Sequence, residues 1–313
     1  MTSPRTIQHI LICDTRGDEL AAYLNDRRPE LVCRVRSADA VNDADREWAT
    51  TLIGFAAPLI LAGSSIRWVH STGAGVDGLL GNEWPADVTL TRTVGELGTR
   101  IAEYCLGHAL AYAQRIRPFS QDQAHRRWAP VEPATIRGTT CVVVGTGSVG
   151  TAVAKCFQAI GCRVIGVSRT GHDSPPFDQV HPADGLAHTV SAARWLVLAA
   201  PLTTATRQLV NANILNRCDG VFLINVARGG LLDTTALLAA IGQGTVVGAT
   251  LDVFNDEPLP PESPLWTASG VSITPHIAGV THVEEAGSAF LTALATLEAG
   301  GTPSCSVNPR REY

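Results

Sequence analysis

Short apolar runs recur along the first hundred residues, as HILIC, LVCRV, TLIGF, IRWVHS and VTLTR, separated by polar stretches compatible with helix. This rhythm predicts parallel strands alternating with helices that cover both faces of a sheet. From Gly95 to Arg117 the apolar residues Ile101, Tyr104, Cys105, Ala109 and Tyr112 fall at helical spacing, which predicts one long helix connecting two domains. The following segment, RPFSQDQAHRRWAPVEPATIRG, contains three prolines and reads as irregular. The rhythm then restarts at TTCVVVGTGSVG and continues through RVIGVS, WLVLAA, GVFLINVA, TVVGATLDVF and VSITPH. These runs are rich in valine, isoleucine and leucine, as strands buried on both faces require. The last helical stretch, THVEEAGSAFLTALATLEAGG, is long enough to leave this second domain and pack on the first.

Composition narrows the function classes. A chain of 313 residues, 45% of them hydrophobic, buries a sizeable core and suggests two domains. A formal charge of -5 gives no general attraction to phosphate backbones or anionic lipid, so neither nucleic acid nor membrane is an expected partner. Lys155 is the sole lysine, which disfavours Schiff-base chemistry. The eight cysteines are scattered without a CxxC pair or zinc-finger spacing, so no metal is expected and the thiols read as reduced. The opening MTSPRTIQHILICD lacks the pattern of a secretory leader, and the cytoplasm is the expected location.

In CVVVGTGSVGTAVAKCF, Gly145, Gly147 and Gly150 follow an apolar strand and open a helix, the context that makes GxGxxG a dinucleotide fingerprint. Gly145 allows the tight turn, Gly147 the approach of a pyrophosphate, and Gly150 close helix–strand packing. The next strand ends in Ser168, Arg169 and Thr170, where such folds usually keep a ribose-binding carboxylate. A guanidinium flanked by hydroxyls suits a ribose 2′-phosphate, so NADP(H) is the expected cofactor, with NAD(H) possible. Arg228, Glu257 and His276 each lie just past the carboxyl end of an apolar run, the edge where open α/β sheets bind ligands. Taken singly, each also reads as an ordinary cap, loop carboxylate or core histidine.

In this order, GAGVD (73–77), RIAEYCLG, the glycine fingerprint, APLTTATRQLVN, NVARGGLLD, DVFNDEPLP, TPHIAG and the ending VNPRREY resemble the D-isomer-specific 2-hydroxyacid dehydrogenases. The likeness spans nearly the whole chain, and RWVHSTGAGVD, QDQAHRRW and SRT are most similar to the glyoxylate/hydroxypyruvate reductase branch. It implies two doubly wound parallel-sheet α/β domains, a Rossmann dinucleotide-binding domain (99–282) inserted in a flavodoxin-like substrate domain (1–98 and 283–313). It implies reduction of a small 2-oxo acid to a D-2-hydroxy acid, and a homodimer. Arg228 would hold the substrate and stabilise charge on the carbonyl oxygen, the amides of Ala74 and Gly75 would take a carboxylate oxygen, and His276 would donate the proton. Glu257 would bond the other imidazole nitrogen and favour imidazolium. Asp252 would bind the nicotinamide carboxamide. Further cofactor contacts are implied at Ser148 and Val149, at Pro201 and Thr206, at Val226 and Ala227, and at His276 and Gly279. Ser71, Arg92 and Trp128 are candidates for the substrate pocket, and His70 stands where this branch leads one to expect glutamine. Two alternatives stay open: a corepressor-like, dinucleotide-sensing interaction protein, and a family dehydrogenase acting on a phosphorylated hydroxy acid.

Overall fold

The computed structural model describes residues 9–55, 61, 63–80 and 84–311; the opening residues of the chain and the last two of VNPRREY lie outside that set. The chain divides into two compact units, Met1–Leu97 with Thr281–Tyr313, and Gly98–Val280.

Unit 1 begins β1 (His9–Cys13), α1 (Gly17–Arg27), β2 (Val32–Val35), α2 (Asp43–Trp48), β3 (Thr51–Gly54), β4 (Trp68–Ser71) and β5 (Thr89–Arg92). Among the described residues its strands form one parallel sheet in the order β2-β1-β3-β4-β5, the flavodoxin-like winding. The strands are the predicted apolar runs, β1 in full and the others shortened by one or two residues.

Unit 2 takes up α3 (Leu97–Ala113) and α4 (Ile116–Ala124), then β6 (Thr140–Val144), α5 (Ser148–Ala159), β7 (Arg163–Ser168), β8 (Gln179–Pro182) and α6 (Leu186–Thr189). It continues with β9 (Trp195–Leu198), α7 (Ala212–Leu215), β10 (Val221–Asn225), α8 (Thr234–Gln243), β11 (Val246–Leu251) and β12 (Val271–Ile273). The sheet runs β12-β11-β10-β9-β6-β7-β8, parallel throughout, the doubly wound order whose switch point lies at β6. Its core includes Val142, Leu196, Leu198, Leu223 and Leu251, as expected for strands covered on both faces.

The expected single helix over 95–117 is two. Arg115 adopts a left-handed φ of 56°, and α4 starts at the next residue. Pro118 therefore sits in a first turn, where its missing N–H costs no bond, and part of the segment read as irregular is helical. β8 was not foreseen: QVHP is a short edge strand ending in proline, with one buried residue.

The chain returns to unit 1 as α9 (Val283–Glu298), which packs on α1 and places Phe290 flat against Trp68, ring centroids 4.5 Å apart. His70 lies in this core, fully buried, with Nδ1 2.7 Å from Thr91 Oγ1 and Nε2 3.2 Å from Thr93 Oγ1. Thr93 spends its own hydroxyl hydrogen on Ser71 O, so it accepts from Nε2–H, and Thr91, which accepts from Trp68 Nε1, donates to Nδ1. The ring is neutral and structural, with no exposed edge for substrate.

Burial pushes His70 down from its ordinary 6.5 to about 3. Between these values the unfolded chain binds a proton that the folded chain refuses, so stability is complete above pH 6.5 and is lost as pH falls toward 3. The slope is about 1.4 kcal/mol per pH unit. Urea unfolding is expected to report a loss of about 2 kcal/mol from this group between pH 7 and pH 5. A His70→Gln variant should lack that component; an equal acid loss in the variant would assign it elsewhere.

Candidate active site

The glycine turn after β6 has the geometry the fingerprint requires. Gly145 has a φ of 106°, and a Cβ there would lie 2.7 Å from the Ala199 carbonyl. A Cβ on Gly150 would lie 1.8 Å from Gly145 O, so only glycine lets α5 start this close to the strand. Around Gly147 the space is open, and as N-cap of α5 it leaves the first-turn amides without a side-chain cap. Ser148 is exposed and Val149 half-buried beside it. Uncapped amides at the positive end of a twelve-residue helix, beside an open glycine, fit a dinucleotide pyrophosphate.

At the end of β7, Ser168 Oγ accepts from Gly171 N at 3.1 Å and holds the turn, while Arg169 and Thr170 are exposed. Thr170 Oγ1 lies 2.7 Å from His172 Nδ1. After β9, the Thr206 hydroxyl donates to Pro201 O at 2.7 Å and its oxygen accepts from Thr203 N at 2.8 Å, folding APLTTATRQLVN back on itself.

Arg228, Glu257 and His276 follow β10, β11 and β12, three adjacent strands, at the same edge of one sheet. Asn225, buried at the end of β10, shapes the first loop: Oδ1 accepts from Ala227 N at 3.1 Å and Nδ2 donates to Arg228 O at 3.1 Å. Val226 and Ala227 are buried, Arg228 is half-buried, and its Nη1 donates to Ala227 O at 2.8 Å. A Cβ on Gly229 would lie 2.1 Å from the Phe254 carbonyl carbon, so this glycine brings the Arg228 loop against the loop that carries Glu257. Glu257 Oε1 accepts from Phe254 N at 2.8 Å, and Oε2 lies 2.7 Å from His276 Nδ1. Both side chains keep 35% of their surface exposed. One carboxylate oxygen is thus anchored to backbone while the other orients the imidazole through Nδ1.

His276 has a left-handed φ of 55°. In that conformation three successive amides converge on one residue, Asp252: His276 N donates to its carbonyl at 2.9 Å, Ile277 N to Oδ1 at 2.9 Å and Ala278 N to Oδ2 at 2.8 Å. Thr274 Oγ1 also donates to Oδ1, at 2.5 Å. Asp252, expected at the nicotinamide carboxamide, is 1% exposed and serves the His276 turn, with one acceptor position on Oδ2 left over. Gly279 follows, half-buried.

In unit 1, the loop after β4 is pinned by Ser71, whose Oγ donates to Gly75 O at 2.8 Å and accepts from Gly73 N at 3.2 Å. Arg92, half-buried at the end of β5, donates from Nη1 to Ala74 O at 3.3 Å. The Ala74 and Gly75 amides meet no acceptor among the described residues, which leaves two adjacent donors. Trp128 is 96% exposed on the segment that follows α4. Among the described residues, no helix is long and apolar enough to cross a membrane.

The sequence gives Asn225 and Thr274 no role at the site, and Tyr104, whose hydroxyl reaches Thr274, reads there only as a helix position. Asn225 had a signal: a polar residue closing an otherwise apolar strand, VFLIN, immediately before the arginine loop.

Residues 106–278 match the family model described as D-isomer specific 2-hydroxyacid dehydrogenase, NAD binding domain. The chain belongs to the D-isomer specific 2-hydroxyacid dehydrogenase family, and is an NAD(P)-dependent dehydrogenase of that family. A Streptomyces coelicolor protein, described only by its place in the mprR 3′ region, is 38% identical over 268 residues, covering 82% of this chain and 96% of the relative. The solved D-isomer specific 2-hydroxyacid dehydrogenase of Xanthobacter autotrophicus Py2, in complex with NADPH and MES, is 31% identical with a TM-score of 0.89, over 98% of this chain and 100% of that one. An NADPH-dependent glyoxylate/hydroxypyruvate reductase of Sinorhizobium meliloti, in complex with NADP and sulfate, is 25% identical with a TM-score of 0.85, over 98% and 100% of the two chains.

Proposed function

We propose that the protein reduces a small 2-oxo acid of the glyoxylate or hydroxypyruvate type to its D-2-hydroxy acid, preferring NADPH to NADH. The observation that carries this reading is the 2.7 Å pair of Glu257 Oε2 and His276 Nδ1, which follows the strand next to that of Arg228. Bound nicotinamide supplies the hydride to the carbonyl carbon. Unit 2 binds the dinucleotide, with Gly145, Gly147 and Gly150 at the pyrophosphate; unit 1 binds the substrate. Arg228 grips carboxylate and carbonyl with its fork of donors and stabilises the oxygen as it gains charge. The Ala74 and Gly75 amides take the other carboxylate oxygen. His276 donates the proton from Nε2, and Glu257 holds the ring in the orientation that presents it. The exposed Arg169, with Thr170 beside it, is the partner for a ribose 2′-phosphate. The 96% exposed Trp128, with Ile116 of α4 and Val131 also exposed nearby in the chain, supports assembly as a homodimer, which sedimentation of the dilute protein tests.

A steady-state panel of glyoxylate, hydroxypyruvate, pyruvate and phenylpyruvate with each cofactor tests the activity; no turnover of any of them would overturn it. In the same assays, Arg169→Ala is expected to raise the Michaelis constant for NADPH about tenfold or more, the equivalent of one charge-assisted contact. The constant for NADH and the maximal rates should stay in place, because the reacting ring is common to both cofactors. A variant with unchanged cofactor preference would remove Arg169 from the 2′-phosphate site.

A further inference from the structure

We propose that Tyr104 is a positioning residue for His276, acting through Thr274 and Asp252. The inference rests on the role given to His276 above and on contacts made wholly inside unit 2. The Tyr104 hydroxyl on α3 lies 2.6 Å from Thr274 Oγ1. Thr274 has one hydroxyl hydrogen and gives it to Asp252 Oδ1, so its oxygen accepts from the phenol, and the chain of donors runs Tyr104, Thr274, Asp252. Burial raises the phenol above its ordinary range and keeps it a donor. The ring itself is held against His108, centroids 4.3 Å apart, and His108 Nδ1 is 3.2 Å from Thr250 Oγ1.

What this chain of donors fixes is a carboxylate with a backbone duty. A non-glycine residue stays in the left-handed region only where its surroundings over-determine it. At His276 that constraint is the grip of Asp252 on the three amides 276–278, and Oδ1, the oxygen that holds Ile277 N, is also the one that Thr274 holds. The direction in which the imidazole leaves the backbone therefore depends on the plane of the Asp252 carboxylate, and Tyr104 sets that plane through Thr274. Loss of the phenol hydroxyl leaves the Thr274 oxygen without its donor and frees the threonine to turn away from Oδ1.

The test uses the full-length protein with Tyr104→Phe, Thr274→Val, Thr274→Ser and the Tyr104→Phe/Thr274→Val double variant. Tyr104→Phe and Thr274→Val are expected to lower kcat for the 2-oxo acid about three- to tenfold, the scale of one hydrogen bond. The Michaelis constant for NADPH and the unfolding midpoint should be unchanged, Thr274→Ser should keep the wild-type rate, and the double variant should be no worse than the worse single one. Nitrogen-15 NMR of the His276 ring, assigned by its loss in His276→Gln, should report exchange broadening in the two impaired single variants and not in Thr274→Ser. An unchanged rate and ring signal in Tyr104→Phe, a Thr274→Ser as impaired as Thr274→Val, or additive losses in the double variant would overturn the proposal. The NMR arm needs no turnover, so a wild-type protein inactive on every 2-oxo acid would refute the proposed activity while the ring signal still decides the role of Tyr104.

Discussion

Replacement of His276 by glutamine is expected to lower the rate of 2-oxo acid reduction by about a hundred- to ten-thousand-fold, the range typical for loss of a positioned general acid. Glutamine retains a hydrogen-bonding side chain of similar reach but has no proton to give at neutral pH. The backbone of the turn is gripped by Asp252 through main-chain amides that the substitution leaves in place. The glycine turn after β6 lies elsewhere on the sheet edge, so NADPH affinity, read by fluorescence titration, should be retained. Full turnover in His276→Gln would remove the proton donor from this position; loss of NADPH binding would make the residue a cofactor ligand first.

Replacement of Arg228 by lysine should lower kcat/KM for the 2-oxo acid by about a hundred- to a thousandfold, comparable to losing a preorganised donor at a developing oxyanion. Charge is conserved in this variant, so the loss reports geometry. An ammonium is a point donor, whereas the guanidinium presents a planar fork able to hold two oxygens at once. The loop is built to keep that fork in one place: Asn225 bonds it on both sides, and Gly229 fits where any Cβ would enter the Phe254 backbone. NADPH binding measured without substrate should not change. A lysine variant with near-normal kcat/KM would show that charge alone suffices and that the fork is not used.

How much of this was legible in the sequence follows from what each feature depends on. Strands such as VVV in β6 and VFLI in β10 announce themselves because both faces are covered and every position is apolar. QVHP in β8 borders only one strand, buries one residue, and so leaves no apolar run to find. The break at Arg115 carried no glycine to mark it, and Pro118, read as part of an irregular segment, belongs to the start of a second helix. At the site, Gly150 was legible because its spacing encodes a collision with Gly145 O. The work done by Asp252 was not, because it depends on a histidine turning left-handed 24 residues later and on Thr274 reaching back to the same carboxylate. His70 was equally opaque: its neutrality comes from burial, and its two ring nitrogens are satisfied by threonines one strand away, on β5 and just beyond it.

Unit 1 is discontinuous, and that sets a timetable for synthesis on the ribosome. Trp68, Ile10 and Leu24 belong to a core whose other members, Phe290, Ala293 and Leu294, are translated only after all of Gly98–Val280. Until α9 emerges, the nascent chain carries a sheet whose one face has only α1 on it and a tryptophan ring without its stacking partner. The contiguous unit has its complete sequence available first, and the unit that is begun first is the last to be finished.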